Sequence, residues 1–282
     1  MKASAYAKVN LGLRVAAPGP DGFHPLHALC QSVTWADEVG LEPADEDAIV
    51  VVHGGAPEDE SNLAWRALAA VRSFGGTSKP MRVELRKEIP TEAGLGGGSA
   101  DAAAVLGLAG RRYGVDREVL LRLAAELGAD VPFAFVGGSA LVTGRGEIVE
   151  PLPAITGFAL VIVVPPVELE TPRVYRAWDT LGEPRGPALA AASLPPALRD
   201  YAPLGNDLYP AAVSLAPQLE DWRDELSHRW DTPVAMTGSG SGLFAFFPTL
   251  DEASGAIGAV PIGARGAQAV EPAPRGWEPI AG

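Results

Sequence analysis

The stretch Pro90-Thr91-Glu92-Ala93-Gly94-Leu95-Gly96-Gly97-Gly98-Ser99-Ala100 constrains this chain more than any other, because a glycine-rich loop runs there into an alanine-rich segment that reads as a helix. The N–H groups of a helix's first turn have no partner within the helix, and the helix dipole adds partial positive charge there. Glycines remove the Cβ atoms that would hold an anion away from those donors. Such a junction is built for phosphate. Its spacing departs from the common phosphate loops. No lysine follows the glycines as the Walker pattern requires, and Ser99 stands where the dinucleotide fingerprint has its last glycine. The downstream signatures of a protein kinase are missing as well. A flexible connector is the alternative, so the other motifs have to decide.

Composition narrows the choice. The chain has 282 residues, 47% of them hydrophobic, which suits one large or two modest domains around a buried core. Its mean hydropathy of +0.12 argues against disorder. No apolar run reaches the roughly 20 residues of a membrane span, and Met1 to Lys8 lacks the apolar centre of an export signal. Cys30 is the only cysteine, which excludes an intrachain disulfide and a multi-cysteine metal site. A cytoplasmic protein is expected. A net charge of −13 disfavours nucleic acid as a partner. A small phosphorylated ligand needs only a few focused cations, so it remains compatible. There are four lysines, Lys2, Lys8, Lys79 and Lys87, and each can be weighed individually.

Periodicity predicts strands over Tyr6 to Val15, His27 to Leu41, Ile49 to His53, Met81 to Leu85 and Ser139 to Thr143. Helices are expected from the capping residue Ser61 to Val71, from Ser99 to Tyr113, and from Asp116 to Leu127 before Gly128. Proline and glycine from Pro151 to Gly157 suggest a domain boundary, giving domains of 1–155 and 156–282. Beyond it come strands Phe158 to Val164, Val234 to Met236, Leu243 to Phe247 and Gly266 to Val270. Helices are read over Thr171 to Leu181 and Asp251 to Ile257, and over Asp207 to His228 with interruptions near Pro210 and Pro217. Gly182 to Pro203 reads as a long connection with room for one short helix, and the tail from Glu271 as frayed. The mixture gives an α+β class.

Four further stretches stand out. Lys8 sits in the middle of an apolar strand, where an exposed or edge face is the ordinary explanation. Asp21-Gly22-Phe23-His24 follows, ordinarily a turn with a surface histidine. Asp130, before Val131-Pro132, could be a helix cap worth about 1 kcal/mol. Met236 to Phe244 holds Thr237-Gly238-Ser239-Gly240-Ser241-Gly242, more small residues than a hairpin needs, which points to close approach to a ligand.

In combination these segments resemble the superfamily of galactokinase, homoserine kinase, mevalonate kinase and phosphomevalonate kinase (GHMP kinases). Within it they look like the branch whose acceptor is 4-diphosphocytidyl-2-C-methyl-D-erythritol. Lys8-Val9-Asn10-Leu11, Asp21 to His24, Gly94 to Ser99, Leu127 to Pro132, Gly205-Asn206-Asp207-Leu208 and Thr237 to Gly242 carry the likeness, which runs from Ala5 to about Val270. It implies two domains, an N-terminal ribosomal-S5-domain-2-like ATP-binding kinase domain and a C-terminal ferredoxin-like, substrate-side domain, with the site between them. It also implies transfer of the γ-phosphoryl of ATP to a hydroxyl, with Mg2+.

Carried over by motif, Pro90, Thr91, Glu92, Ala93, Gly94, Leu95, Gly96, Gly97, Gly98, Ser99 and Ala100 would wrap the triphosphate, with Ser99 also facing the metal. Asn62 and Lys87 would line the adenosine side. Lys8 and Asp130 fall on the catalytic pair. Asn10, Phe23, His24, Thr171, Tyr175, Gly238 and Ser239 fall on acceptor positions, two aromatic faces sandwiching cytosine while His24 bonds its edge. The expected partners are ATP and the cytidine diphosphate acceptor, in a monomer or weak homodimer, without nucleic acid or membrane. Phe23 replaces the usual tyrosine, Ala100 replaces a second serine, and Ala5-Tyr6 stands where a proline often precedes Ala-Lys. Two rivals share the fold: a kinase for a homoserine- or mevalonate-type acceptor, and a non-catalytic nucleotide or metabolite sensor.

Overall fold

A computed structural model describes residues 1–76 and 79–281. The first part of the chain runs β1 (Lys2–Val15), β2 (Leu26–Pro43), β3 (Ala48–His53), α1 (Leu63–Phe74), β4 (Met81–Arg86), α2 (Gly97–Tyr113), α3 (Arg117–Leu127), α4 (Val131–Val136), β5 (Ser139–Gly144) and β6 (Ile148–Pro151). The chain then passes to β7 (Ala159–Val164), α5 (Thr171–Thr180), the two-residue strands β8 (Ala188–Leu189) and β9 (Leu204–Gly205), α6 (Tyr209–Leu215) and α7 (Gln218–Trp230). It ends with β10 (Ala235–Met236), β11 (Leu243–Phe247), α8 (Leu250–Ala256), β12 (Gly266–Val270) and β13 (Trp277–Ile280).

The first sheet has the order β13-β1-β2-β4-β3, with β5 and β6 continuing from the other half of the long strand β2. Antiparallel pairing holds throughout except between β3 and β4. The second sheet is antiparallel, β10-β11-β7-β12.

Packing explains the most unusual part of β1. Ala3 and Ala5 belong to a cluster with α1 and α2 residues such as Leu68, Val71, Leu106 and Leu108. Ala7, Val9 and Leu11 instead pack with Leu160, Ile162, Phe244 and Phe246 of the second sheet. The pairing register with β2 shifts between Tyr6 and Ala7, where one set gives way to the other. Every residue from Ala7 to Leu11 is buried, so Lys8 lies in a covered strand rather than on the exposed face or edge that its type suggests.

Other readings are corrected by the structure. The tail from Glu271 is not frayed: Trp277–Ile280 pairs with Lys2–Ala5, and Trp277 packs against α2 next to Gly107. A short hydrophobic strand that finds an open sheet edge is ordered by it, and this one carries residues 277–280 back to the first sheet. Pro210 opens α6 instead of interrupting it, since a proline in the first turn forfeits no helical hydrogen bond. Asn62, not Ser61, caps α1, its Oδ1 accepting from Ala64 N at 2.9 Å. The helix after the glycines begins at Gly97, two residues earlier than its alanines suggest.

Candidate active site

A cleft of about 940 Å³ is lined by residues from both parts of the chain. Its lining includes Pro57, Asn62 and Leu63, then Lys8, Asn10, Asp130 and Pro90 through Ser99 with Gly238 and Ser239, and the residues Phe23, His24, Thr171 and Tyr175. One sequence-predicted residue falls outside. Ala100 is buried in the helical core and its N–H donates to Gly96 O at 2.9 Å, so neither side chain nor amide faces the cleft. As the first residue able to close a helical turn, it is held by the helix.

The glycine loop is shaped by what lies behind it. Gly94 has φ 71 and Gly96 has φ 70, a left-handed backbone that favours glycine. A Cβ on Gly94 would stand 2.4 Å from Thr237 O, and one on Gly96 would stand 3.0 Å from Lys8 Cγ. The first glycine therefore lets the second glycine loop press on the first, and the second lets the stem of Lys8 pass beneath. Three successive carbonyls are drawn outward. Gly242 N donates to Ala93 O at 3.0 Å, Thr237 Oγ1 to Gly94 O at 3.5 Å, and Lys8 N to Leu95 O at 2.9 Å. A trans peptide unit is planar, so its N–H points opposite to its carbonyl. The N–H groups of residues 94–96 make no hydrogen bond to protein among the described residues. Followed by the open first turn of α2, they form a row of donors with room for an anion. The second glycine loop packs closely on the first, Gly238 against Gly94 and Gly242 against Ala93, and its Gly238 and Ser239 also line the cleft.

Lys8 Nζ comes within 3.6 Å of Asp130 Oδ2. The ammonium also donates to Asn10 Oδ1, the one hydrogen bond it makes among the described residues, so two of its three protons are uncommitted. Asn10 is fixed on two more sides: Thr237 Oγ1 accepts from its N–H at 2.9 Å, and its Nδ2 reaches Cys30 Sγ at 3.2 Å. Burial pushes the Cys30 thiol up to about 12, which makes it a packing group here. Asp130 does sit at the start of α4, but its side chain makes no capping hydrogen bond and is half-exposed to the cleft. The capping explanation for this residue fails, and its carboxylate is available for chemistry.

Lys87 behaves differently. Its ammonium is buried between the carboxylates of Asp37 and Asp101. Burial pulls its pKa down, but the two carboxylates together outweigh that and raise it. Asp37 Oδ1 also accepts from Glu88 N and Ile89 N, at 2.6 and 2.9 Å. The triad thus staples the chain entering the glycine loop to the helix leaving it. Although Lys87 borders the cleft, its charge is already spoken for.

Among the aromatic lining, His24 Nε2 lies 2.7 Å from Asp179 Oδ1, and its ring centroid is 5.0 Å from that of Tyr175. Thr171 and Ser239 share a hydroxyl–hydroxyl bond of 2.8 Å that joins α5 to the second glycine loop. Burial, with a smaller contribution from Asp130, pushes Tyr175 up to about 12. Phe23 is exposed, with the Arg145 guanidinium 4.3 Å above its ring, and Arg145 also pairs with Asp21. Sequence reasoning missed Arg145, Asp179, Asp37 and Asp101. Arg145 sits between Gly144 and Gly146 in a hairpin that looks like any surface turn. Only the fold brings it to Phe23.

The family description "GHMP kinases N terminal domain" matches residues 62–138, and "GHMP kinases C terminal" matches residues 187–264. The 4-diphosphocytidyl-2-C-methyl-D-erythritol kinase of Carboxydothermus hydrogenoformans is 37% identical over 256 residues, covering 88% of this chain and 89% of that protein. The enzyme of the same name from Streptomyces avermitilis is 40% identical over 258 residues, covering 87% and 86%. The chain belongs to this family of GHMP kinases. A crystal structure of 4-(cytidine 5'-diphospho)-2C-methyl-D-erythritol kinase superposes with a TM-score of 0.80 at 36% identity, covering 96% of this chain and 98% of that one. Homoserine kinase from Cytophaga hutchinsonii, with a TM-score of 0.70 at 22% identity over 99% and 96%, shares the GHMP kinase fold. No helix among the described residues is long and apolar enough to cross a membrane.

Proposed function

We propose that this chain is an ATP-dependent kinase that phosphorylates the 2-hydroxyl of 4-diphosphocytidyl-2-C-methyl-D-erythritol, a step of non-mevalonate isoprenoid precursor synthesis, in the cytoplasm. The observation that carries the reading is the Lys8–Asp130 pair, 3.6 Å apart, beside the open N–H row of the glycine loop. Phosphoryl transfer is chiefly positioning plus charge stabilisation. The loop binds the triphosphate through main-chain donors. Asp130 takes or orients the proton of the attacking hydroxyl, and Lys8 offers an uncommitted N–H to the oxygen that gains charge. Asn10 holds the ammonium in place. His24, Tyr175 and Phe23 supply a base-sized aromatic end, which a homoserine- or mevalonate-type acceptor would leave unused. A sensor would have no need of the catalytic pair.

Magnesium fits as a companion of ATP. The described residues hold no group of three carboxylate, histidine or cysteine ligands, but Ser99, in the first turn of α2, lines the cleft and carries a hydroxyl. An ion held mostly by phosphates and water suits one protein hydroxyl, and such an ion neutralises charge on the phosphates.

The test is incubation with Mg-ATP and the cytidine diphosphate acceptor, following ADP and a new phosphomonoester by phosphorus NMR. Turnover of homoserine or mevalonate in its place would move the assignment to that acceptor, and binding without turnover would make the protein a sensor. D130N is expected to keep ATP binding and lose about 10²–10⁴ in kcat. Near-normal turnover by that variant would refute the role given to Asp130.

A further inference from the structure

Arg265 lies outside every motif described above and does not line the cleft. Its main-chain N–H donates to Val164 O at 2.8 Å, which anchors it beside the end of β7. From there its guanidinium spans two separate parts of the molecule. Nε donates to Pro165 O at 3.3 Å and Nη1 to Glu168 Oε1 at 3.1 Å, both in the connection between β7 and α5. Nη2 donates to Thr91 O at 3.1 Å and Glu92 O at 3.3 Å, at the entry of the glycine loop, and to Val167 O at 3.4 Å. The side chain is 22% exposed.

The contact falls where the loop most needs holding. Glu92 has φ 52, a left-handed conformation that a residue with a Cβ adopts only under constraint. Arg265 supplies that constraint. By drawing the carbonyls of Thr91 and Glu92 outward it turns the N–H groups of Glu92 and Ala93 the opposite way. Gly242, Thr237 and Lys8 do the same for the next three units. Five consecutive peptides are thus oriented by donors from outside the loop, and Arg265 governs the first two. A planar fork can serve several carbonyls at once, which a lysine ammonium cannot reproduce.

We propose that Arg265 is a positioning residue for the nucleotide, a cation on the second sheet that holds the entry of the phosphate loop in its anion-binding shape. Affinity for ATP, and not for the acceptor, then depends on it. The inference rests on the reading of this loop as the ATP site.

The experiment measures binding of a fluorescent ADP analogue and the separate KM values for Mg-ATP and the acceptor in wild type, R265K, R265A, E92G and R265A/E92G. R265A is expected to weaken the ADP analogue and raise the KM for ATP about tenfold, while the acceptor KM stays within about twofold. R265K, which keeps the charge without the fork, falls between and guards against loss of folding. Glycine at position 92 accepts the left-handed backbone unaided, so R265A/E92G recovers most of the affinity lost by R265A. A merely structural arginine would lower the melting temperature and leave ATP affinity unchanged, and that result overturns the inference. So does an equal rise in both KM values, or a double variant no tighter than R265A. A wild-type protein that fails to bind the ADP analogue would remove the functional reading itself, and this inference with it.

Discussion

Two buried lysines near the glycine loop sit in opposite surroundings, and the proposed mechanism gives them opposite work. Lys87 sits between two carboxylates that are themselves buried, with all of its environment supplied by the protein. Lys8 is equally covered along its stem, yet its head meets a neutral amide and a carboxylate half-open to the cleft. Both are lysines on or just after a strand of the same sheet. Burial therefore does not separate structure from function here; the surroundings of the ammonium do. A lysine whose partners are closed off from solvent fixes a loop, and one whose partner faces a cleft can shift its hydrogen bonds to a substrate.

The contrast can be broken by parallel substitution. K8M is expected to lose about 10²–10³ in kcat, through loss of a donor aimed at developing charge, with little change in melting temperature. A variant that kept its rate would place Lys8 with Lys87 as a structural cation. K87M is expected to cost about 3–5 kcal/mol of stability, read by denaturant unfolding, because it strands two buried carboxylates. A mild loss of stability would mean that water reaches the triad.

A smaller effect sharpens the point through pH. Burial, then the nearby Asp37, pushes Asp101 up to about 7 against the pull of Lys87. The folded state thus binds a proton there more readily than the unfolded chain, whose carboxyl titrates near 3.8. This group's contribution to stability is full below that lower value and fades as pH rises through about 7. Urea midpoints of wild type should fall between pH 6 and pH 8, and D101N should fall less. An identical slope in the two proteins would mean Asp101 does not titrate in that window. The smallest effect belongs to the aromatic end. F23Y restores a hydroxyl while keeping the ring that Arg145 covers, so the acceptor KM should stay within about twofold. A tenfold change would show that the hydroxyl, not the ring face, is what the acceptor meets.

Much of this protein is legible in its sequence where the signal is local. Alternation and helical spacing located most strands and helices of both sheets. The loop from Pro90 to Ser99 declared an anion site through glycines followed by a helix, since an open first turn needs no distant partner to exist. What escaped is what depends on distant pairing. The tail looked frayed because a four-residue strand has no stability until β1 offers it an edge. Arg145, Asp179 and Arg265 looked like ordinary surface charges because nothing near them in sequence hints at Phe23, His24 or Glu92.

By itself the sequence determined the identity of the donors: which residues carry ammonium, carboxylate, aromatic ring or bare peptide, and that glycine occupies two of the three loop positions where φ is positive, Glu92 being the third. Only the tertiary structure decided their states. It buried Lys8 by covering both faces of β1, left Asp130 uncapped and facing the cleft, and locked Lys87 between two acids. The physical reason is range. Backbone preference acts over a few residues, whereas desolvation and charge pairing depend on groups brought together from far along the chain.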